Sequence, residues 1–250
     1  MHLLLCRLKI NQKTKTMSTL IKILLSIVIA LFFTSCQFDL NLGDGKKGDG
    51  NVVTNQREVN EEFTVVKASE GLDVYIIQDD KTEITVEADE NIINLIRTDI
   101  VNNTLNIHLK ERVGWAKSKK ITVSLPNITR LETSSGADIE TINTIKTDRL
   151  ELHSSSGSDL VVSVDADEVD SHTSSGANIR ISGTAGIIYA DASSGSDIKA
   201  GELTTKKAVA KASSGAEVTV HATEEVEANS SSGGDVNYSG TASVIKNNRN

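Results

Sequence analysis

The 250-residue sequence predicts an all-β protein: a single-stranded, right-handed parallel β-helix with about 18–21 residues per turn. Three observations carry this reading. First, one phrase recurs six times between residues 134 and 236: Ser-Ser-Gly, a tiny residue, a carboxylate or amide, then an aliphatic residue. Its glycines (Gly136, Gly157, Gly176, Gly195, Gly215, Gly233) stand 21, 19, 19, 20 and 18 residues apart. A near-constant period of this size marks stacked supersecondary units. Second, apolar and small residues fall at odd offsets from each glycine. Ile139, Leu160, Ile179, Ile198, Val218 and Val236 stand three after it, and Leu150, Val169, Ile188 and Val226 stand seven before. The even offsets are mostly polar, as in Glu132, Glu151, Lys199 and Glu227. That alternation is the signature of a strand with one buried face. Third, twenty residues are too few for a strand and a crossover helix, which need roughly 30. They suffice for one turn of two or three short strands, each pairing with its counterpart a turn away. The wandering period and the usual crossover hand favour the right-handed form.

Inward positions beside each glycine are tiny: Ser135, Ala137, Ser156, Ser158, Ser194, Ser196 and Gly234. The coil is therefore expected to be narrow at this bend. Serines stacked inward there are expected to hydrogen-bond along the axis, because buried hydroxyls need partners.

Taken in order, residues 1–36 read as a signal peptide whose true start is Met17. Lys22 precedes an apolar run from Ile23 to Phe33, too short to span a bilayer comfortably, then Thr34-Ser35-Cys36. Small residues before a cysteine resemble a bacterial lipobox, which makes Cys36 the expected lipidation site and new N-terminus. Cys6 is the only other cysteine, so the mature chain has no disulfide framework. Five of the 26 basic residues and none of the 34 acidic ones precede Cys36, which leaves a formal charge of −13 after it. That charge argues against nucleic acid and anionic lipid as partners. Residues 37–57, with four glycines, read as a flexible tether. Residues 58–245 read as the β-helical domain and 246–250 as a polar tail. Within the domain, 63–66, 74–77, 82–86, 104–109 and 120–125 are strand-like, and 91–97 suggests a short helix. Residues 70–74 look like a degenerate copy of the phrase. This N-terminal third is expected to cap the first end of the stack.

The lipobox, the strand-rich lead-in and the serial Ser-Gly-x-Asp-aliphatic turns together resemble the auto-transporter adhesin head domains called GIN domains. The resemblance covers roughly residues 63–245. It implies a right-handed β-helix in the cell envelope, and it supplies no catalytic residues.

Two outward columns are candidate sites. Two after the glycine stand Asp138, Asp159, Asn178, Asp197, Glu217 and Asp235. Stacked acids repel each other unless solvent, turn hydrogen bonds or cations such as Ca2+ compensate them. Four before the glycine stand Glu132, His153, His172, Asp191, Lys211 and Asn229. His153 and His172 would be neighbours at about 4.8 Å strand spacing, close enough to share a metal, although a solvated face is the simpler reading. Aromatic residues make up 3% of the chain, and no Ser-His-Asp order or metal motif stands out. The resulting expectation is a non-enzymatic outer-membrane lipoprotein, anchored by its lipid and presenting a surface to a glycan or protein ligand. A β-helical polysaccharide lyase or hydrolase and a self-assembling scaffold are the alternatives.

Overall fold

The computed structural model describes residues 45–249. The signal peptide, Cys36 and residues 37–44 lie outside them. Strands make up 67% of the described residues, among which there is no α-helix, and stacked parallel strands form a β-solenoid of about six turns.

The first turn is assembled from separated pieces. β1 (Val52–Arg57) precedes β2 (Val65–Ala68), and a corner at Glu70-Gly71 leads into β3 (Asp73–Gln78). The excursion that follows holds β4 (Glu83–Asp89), β5 (Ile96–Val101), β6 (Thr104–Leu109) and β7 (Lys119–Leu125). β6 pairs in parallel with β2, and β7 with β3, so together they lay a layer over the open end. β5 then pairs antiparallel with β6, β4 with β7, and β1 with β4. This is the expected cap. The short helix expected over 91–97 is a single 3-10 turn, Ile93–Leu95, because Ile92, Ile93 and Ile96 are all drawn into the core.

β8 (Arg130–Thr133) and β9 (Asp138–Thr141) stack on β2 and β3, and β10 (Ile145–Ser155) continues the coil. From there each turn is one long strand: β11 (Asp159–Ser174), β12 (Asn178–Ala192), β13 (Asp197–Ser213) and β14 (Glu217–Ser231). These strands curve without breaking, where two or three short ones per turn were expected. Bends at Gly183 (φ +111) and at local register shifts absorb the curvature while the parallel ladder continues. β15 (Asp235–Ser239) and β16 (Ser243–Arg249) close the stack and pair only with β14.

The aliphatic column three after the glycine is buried in all six copies, at 5% exposure or less. Burying each such side chain contributes roughly 1.5–3 kcal/mol. The column five before the glycine shrinks along the axis, from Leu131 and Leu152 to Ser171, Ala190, Ala210 and Ala228. Tyr238, five after Gly233 and so on the same alternation as the buried aliphatics, is in register with buried Val220 yet 40% exposed.

Two boundaries need correction. Residues 45–57 are not a tether. β1 is paired along its whole length, and Gly45 and Gly48 before it sit at close approaches to Arg112 and Asp89. The Gly48 N–H donates to the Trp115 carbonyl at 2.8 Å, and a Cβ on Gly48 would overlap the Asp89 carboxylate. That buried carboxylate accepts N–H bonds from Gly50 (2.7 Å), Lys117 (3.0 Å) and Ser118 (3.0 Å). The polar tail from 246 is likewise part of β16, because ladder pairing requires only backbone groups.

Candidate functional site

The repeated phrase builds a corner. In every copy the second serine and the glycine both have left-handed φ, +51 to +57 and +67 to +76 respectively. Two successive residues of this kind make a mirror-image tight turn. The turn is closed by hydrogen bonds such as Ala137 N–H to Ser134 C=O (3.2 Å) and Ala216 N–H to Ser213 C=O (3.1 Å). The glycine N–H meanwhile donates to the corner of the next turn, Gly136 to Ser156 and Gly157 to Ser175, each at 3.2 Å. Ser135, Ser156 and Ser194 are consequently at the exposed tip rather than inward, because the two left-handed residues interrupt the alternation. Alternation resumes at the next residue: Ala137, Ser158 and Ser196 are buried. The expected hydroxyl stack exists in the early copies, where Thr133 Oγ1 donates to Ser154 Oγ (2.9 Å) and Ser158 Oγ donates to Thr133 Oγ1 (3.0 Å).

On one side of the corner runs the acidic column. Parallel register aligns Asp138, Asp159, Asn178, Asp197, Glu217 and Asp235, and adds Asp73 from the degenerate copy. The phrase Glu70-Gly71-Leu72-Asp73 was the signal for that extra member. The Asn178 amide donates to Asp159 Oδ1 at 2.8 Å, so the amide interrupts the run of charge where it occurs. Asn237 likewise donates to Glu217 (3.1 Å), and Lys199 sits 3.5 Å from Asp197. Loss of water pushes the Asp138 carboxyl above its ordinary range, and the Asp159 and Asp73 charges add to this. A backbone hydrogen bond from Asp159 opposes them.

On the other side runs the histidine column, extended by Lys67 beside Glu132. The Lys67–Glu132 ion pair is 2.6 Å long, which leaves Glu132 half-buried. The His153 and His172 rings lie with centroids 5.2 Å apart, tilted by 37°. His172 is 2.9 Å from Asp170, a residue of the next outward column that was not singled out in the sequence. Burial pushes the His153 ring below its ordinary range, with His172 and Arg130 acting the same way against Glu132 and Glu151. Glu132, His153, Ser155, His172, Asp191 and Ser193 line a trough of about 380 Å³. Among the described residues, no three His, Cys, Asp or Glu side chains converge into a metal-holding group.

The family model described as "putative auto-transporter adhesin, head GIN domain" matches residues 62–242. The chain belongs to this family. The GIN domain here also resembles several solved structures. A putative adhesin from Bacteroides fragilis is 21% identical with a TM-score of 0.69, covering 81% of this chain and 100% of that one. A putative adhesin from Parabacteroides distasonis is 19% identical with a TM-score of 0.67, covering 82% and 97%. A putative lipid binding protein from the same species is 18% identical with a TM-score of 0.61, covering 80% and 98%. At these identities the likeness establishes a shared fold. No curated protein matches the chain.

Proposed function

We propose that the chain is a non-catalytic binding head of the bacterial outer membrane, held there by a lipid on Cys36. The observation that carries this reading is the stack itself, which sets like residues at fixed spacing on an exposed face. Such a ladder suits multivalent contact with a repeating ligand, a glycan or a protein surface. The GIN family and its adhesin neighbours support an envelope or surface location and adhesion rather than chemistry. The test has two arms. Cys36→Ala should release the protein from the detergent phase of a partition assay, and an unchanged partition without an acyl mass on the N-terminal peptide would refute the anchor. Cells displaying the chain should bind glycan or matrix arrays in a way that soluble ligand competes; no binding above cells lacking the chain would refute the adhesive head.

One observation favours self-assembly as a second reading. Beyond β14, the large apolar side chains of Tyr238, Val244 and Ile245 are exposed. Sedimentation of the purified protein should then show end-to-end species, and a single monomeric boundary at all concentrations would exclude it.

A further inference from the structure

The coil carries register shifts that its repeat does not require, and two of them lie on neighbouring strand boundaries. Register slips between Arg180 and Ser182 on the β12–β13 boundary. It slips again between Ala200 and Thr204 on the β13–β14 boundary, so that residues 201–203 have no counterpart in β14. The wall opens there into a cleft of about 430 Å³. Pockets of roughly 300–1,000 Å³ are the usual size for small-molecule sites. Val161, Ile181 and Thr219 form its walls, with Gly201 beside them. Val161 is an outward position that is nonetheless apolar and 37% exposed.

The polar part of the lining is unusual for so acidic a chain. Arg180 and Lys199 are direct neighbours in register, and both line the cleft. Like charges placed opposite each other on adjacent strands repel. Among the described residues Arg180 makes no ion pair, and the nearby Asp159 carboxylate is already engaged by the Asn178 amide. Lys199 has, among the described residues, one ion-pair contact, at 3.5 Å to Asp197. Glu202 is the one carboxylate among the lining residues, against two cations. We propose that this cleft binds an aliphatic carboxylate, its anionic end between Arg180 and Lys199 and its hydrocarbon against Val161 and the Thr219 methyl. A guanidinium and an ammonium at one strand spacing can share a single carboxylate, with the planar Arg fork taking both oxygens. The inference rests on the reading of the domain as a binding head and names a ligand class for it.

Reductive methylation of the full-length chain in native membranes, read lysine by lysine by mass spectrometry, tests this directly. Octanoate should slow modification of Lys199 about threefold once it reaches about twice its dissociation constant, as mass action requires. Lys206, outside the cleft, should be unaffected. Octanol lacks the charge and acetate lacks the chain, so neither should protect Lys199. Arg180→Gln and Val161→Glu should each abolish protection by octanoate; both positions are exposed, so the fold should tolerate the changes. Unchanged Lys199 modification in octanoate would overturn the proposal, as would equal protection by octanol or acetate. Such a failure would leave the adhesive head standing or falling on the array assay alone.

Discussion

Replacing Gly183 with alanine should destabilise the coil far more than replacing Gly157, although both glycines have positive φ. Gly157 sits at a corner with φ +70, and a Cβ there would meet nothing within 4 Å. Its replacement should cost only the left-handed backbone, about 1–2 kcal/mol. Gly183 lies inside β12 with φ +111, between Val164 of β11 and Leu203 of β13. A Cβ there would fall less than 3.0 Å from the Val164 carbonyl oxygen, a ladder atom with no rotamer to turn away. The backbone conformation contributes about 1–3 kcal/mol and forced overlap a further ~1–3 kcal/mol. Denaturant unfolding followed by circular dichroism compares the two variants. Hydrogen exchange should place the Gly183→Ala damage in β11 and β12, because each turn of a solenoid contacts only its neighbours. Equal losses at the two positions would refute the argument, since overlap with the previous turn is what separates them.

Ile179→Ala should cost about 2–5 kcal/mol as a buried truncation, and Lys199→Ala should stay within about 0.5 kcal/mol, both read from unfolding midpoints. Asp89 alone would be pushed up by burial, but N–H bonds from Gly50, Ser118 and Lys117 outweigh this and hold it below its ordinary range. Its contribution is therefore present above the ordinary Asp value of about 4 and lost as pH falls through the depressed one. Asp89→Asn should lower the melting temperature at pH 7 and flatten its decline in acid. Asp138 has the opposite sign: its raised value disfavours the ionised native form, so Asp138→Asn should raise the melting temperature at pH 7 and lose that advantage below about pH 4. Ser171 is buried with a hydroxyl that makes no hydrogen bond, so Ser171→Ala should be neutral or stabilising by up to about 1 kcal/mol in the same melts.

Much of this architecture was legible because a parallel coil is a local code. Each turn repeats the same inward and outward positions, so aligning six glycines was enough to place Ile179 inside and Asp159 beside Asp138. Glycine-rich residues 45–50 misled for a physical reason. Glycine permits a flexible chain, and it equally permits a backbone to approach Asp89 without a side chain in the way. The alternation also failed at Ser135 and its equivalents, where two left-handed residues turn the tip outward.

By itself the sequence determined the fold class, the column memberships and the burial of one face, since all three follow from period and register. The tertiary structure alone decided what lies between columns. The Arg180–Lys199 cleft opens where residues 201–203 have no counterpart in β14. Asp89 becomes a clasp only when Gly50 and residues 117–118, distant in sequence from it and from each other, both reach its carboxylate. These contacts depend on where bulges and excursions bring unrelated segments together, and no repeat spacing encodes that.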